Sequence, residues 1–533
     1  MQKQSISFKE TGYFSQLICD YLDENDALKS FYNRFPKIDA FKFQMEEKAS
    51  SFKVETRQVL VNSLQNQYET LQTSDATLTH IKSLLQPNTF TITTGHQLNL
   101  FTGPLYFLYK IISTINLTKQ LKVTYPDKNF VPVYWMATED HDFDEINYFN
   151  FKGKKVVWNR DANGAVGELS TQGLDAIFKV ISSEFGSNNN ANYLKALFKS
   201  AYLEHENLAD ATKYLVNELF KDYGLVIIDA NSKALKQVFT PYIKDELLRQ
   251  ISFKAVSKTN EALSTTSEAY KIQVNPREIN LFYLNENLRE RIVLEDDVYK
   301  VLNTDITWSE SEILKHLDEM PQRFSPNVIM RPLYQEVILP NLCYIGGGGE
   351  LAYWFQLKDF FNEVNVTFPM LLLRNSVLVQ NENQFKKLEN LSVSLKHLFL
   401  KKHAFINKRV RDISNIDIDF SPQKTHLQQQ FKDLYTLAEQ TDKSFVGAVK
   451  AQEKKQVKGL EALEKRLLKA QKRKLKDEIE RATVIKNQLF PNESLQERNA
   501  NFSELYLDFG DDLIPSLMQQ LEPLQNEFDV LVL

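Results

Sequence analysis

From residue 90 to residue 373, short apolar or β-branched runs alternate with longer stretches in which apolar residues return every three or four positions. The runs fall at residues 90–93, 131–136, 225–228, 328–330, 342–345 and 370–373, and the periodic stretches at 105–121, 194–220, 233–270 and 351–361. Consecutive apolar positions suit a strand covered on both faces, and parallel neighbours need a helix-sized crossover between them. The pattern therefore predicts an α/β core whose mainly parallel sheet is flanked by helices. In such a sheet ligands sit beyond the carboxyl ends of the strands, where loops lead into helix N-termini. Those loops are where chemistry is expected.

Three of them stand out. Gly95, His96 and Gln97 follow the first run, and Asn99, Thr102 and Gly103 precede a helix opened by Pro104. Unpaired N–H groups and the positive end of that helix make its start a candidate cradle for phosphate or carboxylate. His96 adds a donor there; Lys110 adds charge if it points back, and reads equally well as an exposed helix lysine. After the run at 131–136 come Glu139, Asp140, His141, Asp142, Asp144 and Glu145. Carboxylates this close cannot all be buried unpaired. They suit Mg²⁺ held through water, a substrate amine, a proton acceptor, or N-capping. Asp140 and His141 join His96 as catalytic candidates, with Glu139 and Asp142 as binding candidates. The third loop follows the run at 342–345, where Gly346, Gly347, Gly348 and Gly349 allow close approach and positive φ. Glu350 and Tyr353 then fall on the first helical turns, with Arg331, Gln335 and Glu336 expected across the same cleft. The glycine run is neither a Walker A loop nor a dinucleotide-binding fingerprint. Cys343, inside an apolar run, reads as a core thiol.

The formal charge of -5 and pI near 6.0 give no broad reason to expect nucleic acid. Two cysteines, Cys19 and Cys343, form neither a disulfide framework nor a zinc motif, and a reducing, cytoplasmic setting is expected. No apolar stretch is long enough to predict a membrane span.

Outside the alternating core, residues 1–88 read as helical and 271–301 as a small antiparallel excursion. Residues 381–490 are poor in proline and glycine, rich in Lys and Glu, and carry Leu460, Leu463, Leu467, Leu475, Ile479, Ala482 and Leu489 near heptad spacing. A helix over 424–489, roughly 100 Å long, is expected to pair with 384–412 as an antiparallel arm used for dimerisation. Apolar density returns after Pro491. The expected division is a core over 1–380 with a connecting region near 233–320, an arm over 381–490, and a return over 491–533.

The motifs TGHQ-x3-FTGP, W-x3-EDHDFDEIN and LP-x-L-x-YI-GGGGE-x-AYW, with ETGYFS near the N-terminus and FPN-x3-QER at 490–498, resemble the bacillithiol-biosynthesis cysteine-adding family across essentially the whole chain. The resemblance implies a Rossmann-like core related to class I aminoacyl-tRNA synthetases, a coiled-coil dimerisation arm, and the joining of cysteine to glucosaminyl-malate. Carboxylate activation by ATP or another nucleotide, with Mg²⁺, goes with it. In that picture His96 and the following helix start bind phosphate, while the acids near His141 take the sugar amine or a metal. The chain departs from the synthetase pattern in having no KMSKS loop and no structural zinc site. A metal-assisted hydrolase or amidase, and a nucleotide-binding scaffold without turnover, are the alternative readings.

Overall fold

The computed structural model describes residues 2–533. Its centre is a five-stranded, all-parallel sheet in the order Met370–Leu373, Asn341–Gly346, Thr89–His96, Asn129–Met136, Val226–Asp229. The expected runs supply these five strands, but residues 328–330 do not supply a sixth. That segment turns into the helix Met330–Ile338, and the nearby strand is Phe324–Pro326, which pairs antiparallel elsewhere. Asn327 drives the turn by accepting the N–H groups of Ile329 and Met330 with its side chain.

The central strand is polar in sequence yet wholly buried, with Thr89, Thr91, Thr93 and Thr94 at 0% exposure. Burial is tolerable because the hydroxyls are satisfied. Thr91 and Thr93 donate to the Asn341 side chain at 3.3 and 2.8 Å, and Thr94 donates to the Ile345 carbonyl at 2.8 Å. The main crossover, Tyr106–Thr124, is apolar nearly all round and buries twelve of its residues.

The antiparallel excursion is larger than expected. Leu281–Asn285, Leu288–Glu295 and Val298–Val301 form a meander extended at its edges by Thr307–Trp308 and Phe324–Pro326. The N-terminal region is not helical throughout. Gln2–Ser7 pairs antiparallel with the C-terminal strand Glu527–Val532, which runs parallel to Val377–Gln380. The chain after the arm thus returns to the core and joins the first residues in one small sheet. A hairpin, Tyr148–Phe151 with Lys154–Val157, was not foreseen.

The arm also departs from expectation. The stretch 424–489 is not one helix but parts of three: Ser421–Ala438, Lys443–Lys474 and Lys476–Leu489. The Asp442 side chain caps the second of these through the Ser444 and Phe445 N–H groups. The hairpin forms between the first two, where Phe431, Ala438 and Val449 make a small core. The stretch 384–412 is broken into Glu382–Asn390, Leu395–Leu398 and Lys402–Ile413; the last packs along the longer helices, where Val410 meets Ile418 and Ile479, and the first also touches Lys476–Leu489. At 32 residues the longest helix spans roughly 48 Å. No helix among the described residues is long and apolar enough to cross a membrane.

The helix Ala40–Ser51 is tied to the helix Met330–Ile338 by a buried ion pair that Asn341 links to the sheet. Lys48 Nζ donates to the Glu336 carboxylate at 3.2 Å and to its carbonyl at 2.9 Å, while Gln335 and Asn341 donate to the other carboxylate oxygen. Replacing Lys48 by Met strands a carboxylate at 1% exposure. Urea unfolding of Lys48→Met is expected to show a loss of about 3–5 kcal/mol, largely recovered in the pair Lys48→Met/Glu336→Gln. An unchanged midpoint in the single variant would refute the coupling.

Candidate active site

The order of the parallel sheet contains one reversal of direction. From Thr89–His96 the chain builds outward through Asn129–Met136 to Val226–Asp229, then crosses back to lay Asn341–Gly346 against the other side of the first strand. Loops leaving such a switch point diverge and leave a crevice. A cavity of about 630 Å³ occupies this place. Its far wall is the antiparallel meander, through Phe282, Arg289 and Arg291.

Gly95 and Gly346 make room for the Tyr344 ring. A Cβ on Gly95 would lie 3.3 Å from the Tyr344 hydroxyl, and one on Gly346 only 2.9 Å from the ring. Tyr344 donates to Glu350 at 2.7 Å, and Glu350 also receives Lys110 at 2.6 Å and the Gly347 N–H at 3.1 Å. Burial by itself would raise the Glu350 pKa, but Lys110 and these donors hold it below the ordinary carboxylate range. Lys110 is not an exposed helix lysine: it is 3% exposed and points back, donating to the Gly95 carbonyl at 2.7 Å. The ion pair thereby joins the loops on both sides of the switch point.

His96 lines the cavity with its ring stacked on Tyr106, centroids 5.4 Å apart. Its Nε2 is buried and has no partner within the protein. Burial first, and the charge of Lys110 second, push its pKa well below the ordinary value, so the imidazole is neutral. Arg331 also lines the cavity, its guanidinium between Gln335 Oε1 at 3.1 Å and the Tyr353 hydroxyl at 3.4 Å.

The acidic loop divides its carboxylates. Glu139 is held by Lys236 at 2.6 Å and by the Ser325 hydroxyl at 2.6 Å. Asp140 accepts from Gln97 at 2.9 Å and from the His141 N–H at 2.7 Å. The His141 ring is about half-exposed and contacts Arg289 through Nδ1; burial first and Arg289 second lower its pKa. Glu139, Asp140 and His141 line the cavity, whereas Asp142, Asp144 and Glu145 are exposed and lie outside its lining. Among the described residues no three His, Cys, Asp or Glu side chains converge as metal ligands. The acids instead diverge toward Lys236 and Gln97.

Several expected contributors belong to the scaffold. Thr102 and Gly103 do not form an open cradle: the Asn501 side chain donates to the Phe101 and Gly103 carbonyls at 2.7 Å, and the Leu105 N–H is taken by the Ala500 carbonyl. Asn99 donates to the Glu145 carbonyl and supports the acidic loop from outside the cavity. The four glycines 346–349 lie outside the lining, and none has a positive φ. The N-terminus they open is filled by the carboxylate of Glu350. Gln335 and Glu336 are buried behind Arg331 in the Lys48 network. Cys343 is a core thiol at 0% exposure.

Residue-by-residue reading missed Tyr106, Lys236, Arg277, Arg289 and Arg291. Arg289 and Arg291 share one face of their strand, but two arginines at alternate positions read as an ordinary solvent face, and only the fold turns that face to the cavity. Lys236 carried no signal; it is one lysine on a helical stretch until the fold sets Glu139 beside it.

The chain matches two family models end to end. Residues 1–375 match "Bacillithiol biosynthesis BshC, N-terminal Rossmann-like domain" and residues 377–533 match "Bacillithiol biosynthesis BshC, C-terminal coiled-coil domain". It is 59% identical to a protein of Flavobacterium johnsoniae over 533 residues, covering 100% of both chains. A protein of Christiangramia forsetii is 57% identical, with 100% of this chain and 99% of that one covered, and one of Cytophaga hutchinsonii is 37% identical, with 98% and 97% covered. All three carry the name "Putative cysteine ligase BshC". With both segments matched and identity sustained over its full length, the chain belongs to the BshC family of bacillithiol biosynthesis.

Proposed function

We propose that this cavity joins cysteine to glucosaminyl-malate, the cysteine carboxylate being activated by ATP. The observation that carries the reading is the meeting, in one cavity at the sheet's switch point, of cationic groups with the carboxylates of the acidic loop, in a chain 59% identical to a relative named for cysteine ligation. A free carboxylate is a poor electrophile. Attack of its oxygen on the α-phosphorus of ATP, with pyrophosphate leaving, or on the γ-phosphorus, with ADP leaving, gives a mixed anhydride. The sugar amine then attacks the anhydride carbonyl, an amide forms, and AMP or phosphate departs.

The residues divide this work. Charge developing at phosphorus calls for fixed cations in a water-poor site, which Arg331 and the Lys110 side of the Lys110–Glu350 pair supply. Neutral His96 presents an unpartnered ring nitrogen to the same region. Asp140, whose direct partners are Gln97 and the His141 N–H, orients the ammonium and takes its proton. Magnesium arriving with the nucleotide needs one or two carboxylates, and Asp140 fits that use as well. The adenylate route is the one a synthetase-like core suits.

The arm is read as a homodimer contact, because Leu434, Leu437, Phe445 and Leu463 stay 41–54% exposed on its helices. Sedimentation should give a dimer for the native chain and a monomer for Leu434→Glu/Leu437→Glu. A native monomer would end that reading.

Mass spectrometry of the protein with cysteine and glucosaminyl-malate, with and without ATP-Mg²⁺, should show the condensed thiol only with ATP, and AMP or ADP then identifies the phosphorus attacked. Lys110→Met is expected to lower kcat/KM on the order of a hundredfold or more. Condensation without nucleotide, or a fully active Lys110→Met, would refute the scheme. The buried neutral imidazole adds a pH signature. The His96 pKa is lowered from 6.5 by folding, so below 6.5 the unfolded chain takes up a proton that the folded chain does not. That contribution is present above 6.5 and is lost as the pH falls. Urea midpoints at about pH 7.5 and about pH 5 should differ less in His96→Gln than in the native protein.

A further inference from the structure

Of the five cationic side chains lining the cavity, four are arginines: Arg277, Arg289, Arg291 and Arg331. Among the described residues none of the four has a carboxylate oxygen within 4.0 Å. Lys48, Lys110, Lys236 and Arg374, which are buried nearby, each have one, whereas Arg289, Arg291 and Arg331 are partly buried and Arg277 is exposed at the cavity's edge. Guanidinium groups that face a cavity without a counter-ion leave room for an anionic ligand.

Three of the four come from the connecting region. Arg289 and Arg291 lie two apart on Leu288–Glu295 and so share a face, with Phe282 directly across from Arg291. Arg289 is at the inner end. Its guanidinium lies 4.0 Å from the centre of the Phe282 ring, it contacts His141, and its Nε is buried without a partner. Arg291 is roughly 7 Å farther along the strand, away from the acidic loop. Arg277, on the segment leading into the meander, adds a third fork.

We propose that Arg289 and Arg291, assisted by Arg277, form a carboxylate-reading wall that selects an amino sugar bearing a dicarboxylate. On the cysteine-adding reading, on which this inference rests, the sugar amine lies at Asp140, and the malyl group, carried on the ring carbon next to the one that bears the amine, places its two carboxylates against the arginine forks. The carboxylates take no part in bond making. Their binding supplies specificity from a remote part of the substrate.

Titration calorimetry with glucosaminyl-malate and with methyl glucosaminide, which keeps the amine and lacks the carboxylates, tests the wall. The native protein should prefer glucosaminyl-malate. That preference should fall on the order of tenfold in Arg291→Gln and a hundredfold in Arg277→Gln/Arg291→Gln, with Arg291→Lys recovering only part because it keeps the charge and loses the fork. An unchanged preference in the double variant, or an equal weakening of both ligands, overturns the proposal. The two readings fail separately. A preference that collapses as expected in a protein that never adds cysteine would sink the ligase reading alone; cysteine addition with an unaltered preference would sink the arginine wall alone.

Discussion

The strands Thr89–His96 and Asn341–Gly346 are hydrogen-bonded neighbours whose chains leave toward opposite sides of the sheet. No crossover can cover the gap above their carboxyl ends, so a crevice is a geometric consequence of the strand order. Two unprotected loop starts would not by themselves hold a fixed shape. Lys110 and Glu350 span them, one from each side, and each is further fixed by a backbone group of the loop it closes. A buried pair of this kind adds little net stability but is costly to break from one side. It serves to fix the distance between the loops.

That geometry accounts for what was legible in the residues. The parallel core could be read because most of its strands are runs of consecutive apolar or β-branched residues and their crossovers are helical in period. The antiparallel meander could be read because its pattern alternates. The N-terminal strand could not. Gln2–Ser7 is mostly polar and half-exposed, and it is a strand only because Glu527–Val532, more than five hundred positions away, offers it an edge. The arm misled for the opposite reason. Its apolar spacing is helical throughout, and periodicity does not record where a helix stops. The stop after Ala438 depends on a turn and on the Asp442 cap, one short polar side chain among many.

The site divides along the same line. His96, Asp140, Arg331 and Glu350 were legible because loop position and side-chain type both pointed to a cleft. Thr102, Gly103 and the glycine run pointed there too, yet the protein uses them itself. Asn501 takes the carbonyls around Gly103, and Glu350 fills the helix start that Gly347 opens. A helix N-terminus in a sequence is an offer of donors, and only the fold shows whether a side chain has already accepted it. Tyr106 was missed because an aromatic on a crossover helix is ordinarily core. Here it is the surface on which the His96 ring lies.

The meander is a separate sheet, and its position against the parallel core decides whether its arginines face the acids or solvent. Lys236 sets that position. At 0% exposure it sits under the Glu139 carboxylate and also donates to the Phe324 carbonyl at 2.8 Å, while Ser325 donates to Glu139 from the same meander strand. Glu139 is therefore the acid of the loop least available to a ligand, although it lines the cavity. Its charge is used to hold two sheets together, and Asp140 beside it keeps direct contact only with neutral donors. One pair of adjacent acids thus separates into a member held in a buried ion pair and a member left to neutral donors, through a lysine that a linear reading has no means of singling out.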